Sequence, residues 1–193
     1  MKMKRLFIAI NLPKNIKNRI DAVVAELEEK EKNIRFLPSD NWHLTVSFLG
    51  DQPDEAIPGI LDALKKTVKK YSDIFTDEDF KIEFDEFVYG PSNKPPRMIW
   101  LKGTEETSQR IGELKKDLEN NLFANNVRFE SENRKYSSHI TLARFREGEI
   151  NKISNHSIAQ AQFSFFVKSL DLIESFLSRN GAEYDILQEV DFE

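Results

Sequence analysis

The sequence predicts an α+β fold built on antiparallel strands, and three features carry that prediction. Short apolar runs with period-two alternation end in Gly, Pro and Asn turn clusters. Three longer segments carry apolar residues at helical spacing. The two kinds do not alternate strictly, and hairpins mixed with a few helices argue against a parallel βαβ sheet.

In chain order, residues 6–10 form an apolar first strand, and Pro13 suits a first helical turn. Ile16, Ile20, Val23 or Val24, and Leu27 then set a helix over 14–30. Pro38-Ser39-Asp40 breaks the chain before a strand at 44–49, which ends at Gly50-Asp51. A second helix covers 54–71, with Ile57, Ile60, Leu61, Leu64 and Val68 inward and Pro58 delaying its start. Phe80, Ile82 and Phe84 alternate with charged residues, giving a strand over 80–88. After the turn cluster at 89–96, a strand at 97–101 closes a hairpin. A third helix spans 105–121, with Ile111, Leu114 and Leu118 inward. Strands follow at 127–129, 140–145, 163–174 and 184–190, the last two joined by an Asn180-Gly181 turn.

Composition narrows the function. The chain has 193 residues, 39% hydrophobic and including 15 Phe, enough for a packed core in one domain or two small intertwined lobes. Lys and Arg number 28 against 33 Asp and Glu, a net charge of -5. That excludes a broad basic face that coats nucleic acid, while leaving room for a small phosphate pocket. The absence of Cys excludes disulfides, thiolate metal sites and thiol nucleophiles. The basic start precedes an apolar run too short for a signal peptide. No segment reaches the roughly 18 apolar residues of a membrane span, so the expectation is a cytoplasmic protein that contacts no membrane. No phosphate-cradling Gly-rich loop and no His-Glu-x-x-His motif occur. Asp77-Glu78-Asp79 reads as a solvated loop, and Lys65, Lys66, Lys69 and Lys70 as the outer face of the second helix.

One internal echo stands out. His43-Leu44-Thr45-Val46-Ser47-Phe48 resembles His139-Ile140-Thr141-Leu142-Ala143-Arg144, 96 positions further on, about half the chain. Two half-chain units facing each other would bring both copies to one cleft. Side chains alternate along a strand, so His43 and Thr45 share one face while Leu44, Val46 and Phe48 are expected in the core. The same holds for His139 and Thr141 against Ile140 and Leu142. Residues two apart lie roughly 6.5–7 Å apart, which lets an imidazole and a hydroxyl reach different atoms of one phosphate. Two imidazoles can divide general-acid and general-base work on a cyclic phosphodiester. Two hydroxyls can stabilise the non-bridging oxygens, and no metal is then required. The chain has only 3 His, and both copies of the motif sit in apolar strands, whereas His156 falls in a polar loop and reads as a surface residue. A purely structural buried pair is the competing reading.

At these residues the chain resembles the 2H phosphoesterase superfamily, and closely its RNA 2',3'-cyclic phosphodiesterase branch, also called 2'-5' RNA ligase. The matching segments are Arg5-Leu6-Phe7-Ile8-Ala9-Ile10-Asn11-Leu12-Pro13, Asn41-Trp42-His43-Leu44-Thr45-Val46-Ser47-Phe48-Leu49-Gly50, Pro96-Arg97-Met98-Ile99-Trp100-Leu101, His139-Ile140-Thr141-Leu142-Ala143-Arg144, and Ile173-Glu174-Ser175 leading to Gly181-Ala182-Glu183-Tyr184. The resemblance implies a single bilobal domain over residues 1–193, with two antiparallel sheets, helices outside and pseudo-twofold symmetry around a central cleft. It implies His43 as proton donor to the leaving 3' oxygen and His139 as proton acceptor from water, with Thr45 and Thr141 beside them. The implied partner is RNA with 2',3'-cyclic phosphate ends, tRNA-derived ends included, acted on by a monomer without cofactor or metal and with 2'-5' ligation as the reverse reaction.

One departure is visible. The resemblance implies a basic-aromatic-basic-Pro run before the second His, but the residues are Arg134-Lys135-Tyr136-Ser137-Ser138, with Ser138 at the Pro position. Loss of that Pro is expected to loosen the loop. Tyr136 either stacks on a nucleobase or packs at the cleft rim. Arg97, Arg134 and Arg144 are candidate phosphate contacts because a guanidinium pairs two phosphate oxygens at once. Arg134 and Arg144 are favoured, since both flank the second motif. Trp42 and Trp100 are assigned to the core. Two other functions fit the same residues: a phosphodiesterase for a small nucleotide such as ADP-ribose 1'',2''-cyclic phosphate, and an RNA- or nucleotide-binding module without turnover.

Overall fold

A computed structural model describes residues 2–32, 34–74, 80–92, 94–132, 134–146, 157–178 and 181–192, the side chains of 177 and 178 apart. His156, Asp77-Glu78-Asp79 and Asn180, all weighed above, lie outside the described residues. The elements follow the order β1 (Met3–Asn11), α1 (Lys14–Lys30), β2 (Arg35–Phe36), β3 (His43–Pro53), α2 (Ile57–Ser72), β4 (Lys81–Gly90), β5 (Met98–Gly103), α3 (Glu105–Ala124), β6 (His139–Arg144), β7 (Ser157–Phe166), β8 (Ser169–Ser178) and β9 (Gly181–Asp191). Among the described residues all strand pairings are antiparallel.

The strand order is β7-β4-β5-β6-β3-β1-β8-β9, with β2 added on β6. The two sheets implied by the resemblance are therefore joined into one. Their seam is a single β3–β6 pairing, Leu44 with Ile140. The lobes are not strict half-chains either, because the C-terminal β8–β9 hairpin returns to pair with β1.

Helical periodicity places the helices well. Ile16, Ile20, Val24 and Leu27 are the buried stripe of α1. A 3-10 turn, Asp54–Ala56, precedes α2, and Pro58 sits in that helix's first turn, where a missing N–H is harmless. The Thr104 hydroxyl caps α3 by accepting from the Thr107 N–H at 3.1 Å. The inner faces of all three helices join one core with Leu6, Ile8, Leu44, Val46, Ile140 and Leu142. Among the described residues, the opposite face of the sheet holds a small cluster, Phe7, Ala9 and Ile173 with Tyr184 against it. Helices thus back one side, and His43, packed against Phe7, stands on the other.

Three expectations need correction. Residues 127–129 are not a strand: Val127 is buried, but Gln52 Nε2 answers the backbone there, donating to the carbonyls of Arg128 at 2.8 Å and Leu49 at 2.6 Å. The apolar stretch 163–174 is two strands, because the chain leaves the sheet at Val167 and Lys168. β7 then lies at one edge beside β4, while β8 lies in the other lobe beside β1. Finally, Gly50 does not end β3. It takes φ +68 inside the strand, which continues to Pro53.

Candidate active site

The Leu44–Ile140 pairing determines what stands around the cleft. In an antiparallel pair, its neighbours in register are His43 opposite Thr141 and Thr45 opposite His139. Opposed side chains share a face and lie about 4.5–5.5 Å apart at Cβ. Leu44 and Ile140 themselves are fully buried on the helix side. The four motif side chains therefore stand as a rectangle on the cleft face, related by a twofold axis through the pairing. All four are half-buried.

Symmetry extends to the irregularities. β3 carries an extra residue against β1 at Val46, since Ile8 pairs with Ser47 but Ala9 with Thr45. β6 carries one against β5 at Leu142, since Ile99 pairs with Ala143 but Trp100 with Thr141. Such a bulge resets which way later side chains point. Phe48, expected in the core, is accordingly 63% exposed, against Phe7 at 5.9 Å between ring centroids. Arg144, its counterpart five residues beyond the second His, is also exposed.

Each imidazole is oriented by backbone two residues earlier. His139 Nδ1 lies 2.8 Å from the carbonyl oxygen of Ser137. A carbonyl only accepts, so Nδ1 carries the proton and Nε2 keeps a lone pair in the neutral ring. His43 has the equivalent bond to the backbone of Asn41. Burial pulls the pKa of His43 down to about 4; the Asn41 bond opposes this, and the charges of Lys17, Arg144 and His139 add to the depression. His139 is likewise lowered, chiefly by burial and then by Arg134, against the Ser137 bond and Glu132. Both rings are neutral near pH 7 in the unliganded protein.

The walls differ. His43 lies against Phe7 (centroids 4.9 Å apart) and takes the edge of Tyr184 at 5.0 Å. His139 lies over Trp100 at 4.2 Å, tilted by 33°. Trp42 is core, as expected, but Trp100 lines the site instead. Gly90 makes room for it, since a Cβ there would stand 2.2 Å from the indole. Beside His43, Asn11 Nδ2 donates to Asp171 Oδ2 at 2.6 Å, and Ser169 Oγ donates to Oδ1 at 2.6 Å. Asp171 is buried, which raises its pKa.

Of the remaining candidates, Tyr136 is not at the cleft rim: it packs against the helix-side core beside Gly112 of α3. Arg144 and Lys17 are close enough to depress His43, and Arg134 to depress His139. Arg134 is exposed and paired with Glu132 at 2.8 Å. Arg97 is exposed just before β5, its backbone bonded to Gly90 and Phe145. Tyr136 is half-buried, and its hydroxyl donates to the carbonyl oxygen of Thr45. The loop that Ser138 was expected to loosen is tied down: Ser138 is fully buried, its Oγ 2.8 Å from Ser108 Oγ and its N–H donating to that hydroxyl at 3.1 Å. Sequence reading missed Phe7, Phe48, Trp100, Tyr184 and Lys17 as wall residues. The bulges hid Phe48, while Tyr184 lay in a matching segment without a role.

Residues 10–100 and 102–184 match the family described as "LigT like Phosphoesterase". The RNA 2',3'-cyclic phosphodiesterase of Methanocaldococcus jannaschii is 28% identical over 191 residues, 96% of this chain and 99% of that protein. The protein of the same name from Thermotoga maritima is 28% identical over 195 residues, 98% and 96% of the two chains. Among solved structures, TT0787 of Thermus thermophilus superposes with a TM-score of 0.74 at 22% identity over 97% of each chain. E. coli LigT complexed with 3'-AMP does so with 0.69 at 23% identity over 98% of each. These two likenesses show a shared fold. Matched from the end of β1 to the start of β9, this chain belongs to the LigT-like phosphoesterase family.

Proposed function

We propose that this protein hydrolyses the 2',3'-cyclic phosphate at RNA ends, tRNA-derived ends among them, to a 2'-phosphate, as a cytoplasmic monomer needing no metal or cofactor. The observation that supports it most is the Leu44–Ile140 register, which gives the two imidazoles and two threonine hydroxyls one common face. The names of the relatives support the substrate.

The cyclic phosphate sits inside the rectangle, its non-bridging oxygens accepting from Thr45 and Thr141. His139 takes a proton from water as the water oxygen bonds to phosphorus. The phosphorus–O3' bond breaks, and His43 gives its proton to O3'. One water is consumed, and the imidazole protons return to their starting places by exchange with solvent. With the 5'-hydroxyl of a second RNA in place of water, the same atoms support 2'-5' joining: its oxygen bonds to phosphorus as His139 takes its proton, the phosphorus–O3' bond breaks, and His43 protonates O3'. The Trp100 face beneath His139 favours the imidazolium that forms there, because a cation is attracted to an aromatic face. His43 is neutral in the empty site, so the anionic substrate must restore its proton; Arg144, Arg134 and Arg97 draw that anion in.

The test is turnover of a short oligonucleotide ending in a 2',3'-cyclic phosphate, with EDTA present. His43→Ala and His139→Ala should each lower kcat by at least about 10²-fold, the low end for acid–base catalysis. Retained turnover in the double variant would end the proposal.

A further inference from the structure

The two motif strands share one backbone pairing, yet two-histidine chemistry needs their imidazoles at a fixed separation. We propose that Tyr136 is the positioning residue that sets this separation, with Glu119 as a second brace; the inference rests on the two-histidine reading.

Tyr136 stands three residues before His139, on the segment that leads from α3 into β6. Its phenol donates to the carbonyl oxygen of Thr45, 91 residues away in sequence. The approach to the second motif is thus pinned to the backbone of the first, at the residue whose hydroxyl faces the phosphate. Burial raises the phenol pKa far above its ordinary value, so it remains a donor at every working pH.

Glu119 of α3 repeats the connection. It is 8% exposed, and its Oε1 accepts from Ser47 Oγ at 3.0 Å while Oε2 accepts from Ser131 Oγ at 2.7 Å. Ser47 lies on β3 beyond Thr45, and Ser131 lies on the segment before Tyr136. Lys115 balances the carboxylate's charge. Ser138, adjacent to His139, bonds Ser108 on the same helix, and β5 crowds it so closely that a Cβ on Gly103 would stand 2.1 Å from its Oγ. Two side-chain bridges therefore run from the first-motif strand to the second-motif approach, and a third bond holds that approach on α3. The phenol hydroxyl is spent on a carbonyl, so it acts through Thr45 and His139 and not on substrate.

Positioning errors of about 1 Å can cost on the order of 10²-fold in rate without changing the reacting groups. The experiment compares Tyr136→Phe, Glu119→Leu and Glu119→Gln with both histidine variants, on the same cyclic-phosphate oligonucleotide. Tyr136→Phe and Glu119→Leu should each lower kcat by about tenfold with KM changed less than about twofold, since alignment and not binding is lost. Glu119→Gln should recover most of the rate, because its amide can accept from one serine and donate to the other. The histidine ring resonances of unliganded Tyr136→Phe should shift for both His43 and His139, and a global loss of packing would instead lower the melting temperature and raise KM. A Tyr136→Phe kcat within about twofold of wild type while both histidine variants are inactive overturns the proposal. If the histidine variants stay active, the two-histidine reading falls instead, and unshifted ring resonances in Tyr136→Phe overturn the positioning role independently.

Discussion

Phe48 and Arg144 occupy the same place in the two motif strands, each exposed five residues beyond its histidine and just past a bulge. The bulged frame is symmetric, but the side chains it delivers are not: one rim of the cleft is aromatic and the other cationic. Phe48→Ala should therefore weaken a bound nucleotide by about 1–3 kcal/mol, the worth of one base stack, and leave inorganic phosphate binding unchanged. Arg144→Ala should weaken both ligands and flatten their salt dependence. Calorimetry with 2'-AMP and with phosphate separates the two, and equal effects of both substitutions on both ligands would refute the division.

Anion binding should be linked to proton uptake. His43 rests near pKa 4 because of burial and nearby cations, and a phosphate anion between the rings supplies opposing charge. Phosphate or 2'-AMP affinity should rise as the pH falls from 7 towards 5, with protons taken up on binding, measured by titration in buffers of different ionisation heat. In His43→Asn this uptake should shrink markedly.

The same depression affects stability. The folded pKa of His43 lies below the ordinary value of 6.5, so between these limits the unfolded chain binds more protons. Stability is complete above about pH 6.5 and falls as pH drops towards 4, by at most about 3 kcal/mol for this residue. His139, shifted in the same direction, adds to the loss. Thermal melts across this range should fall less steeply for His43→Asn than for the wild type.

Ser138→Pro would supply the residue implied by the family pattern, yet it should destabilise this protein. Proline removes the N–H and the hydroxyl that meet Ser108, leaving a buried hydroxyl unpaired at about 1–3 kcal/mol. Adding Ser108→Ala removes that orphan, so the double variant should melt higher than Ser138→Pro alone.

The sequence made the helices and the motifs legible because each rests on local spacing. α1 begins at Lys14 and ends at Lys30, as the stripe from Ile16 to Leu27 requires. The pair His43 and His139 was legible from repetition. What stayed hidden was non-local. Phe48 was misplaced because a bulge at Val46 depends on the register with β1, which no alternation pattern encodes. Residues 163–174 kept their alternation through Val167 although the chain changes lobes there. Trp100 looked like core because its partner, His139, is brought to it only by the β5–β6 pairing. β2 has two residues, too few for any periodic signal.

β1 lies between β3 and β8, so a strand synthesised early waits for one synthesised late before its sheet has both neighbours. The long sequence separation of that contact makes early closure slow. A nascent chain that has already exposed His43 and Thr45 still lacks the outer flank of its own lobe. Maturation of the first motif is thereby tied to emergence of the β8–β9 hairpin, and a chain severed midway should give no half that works alone.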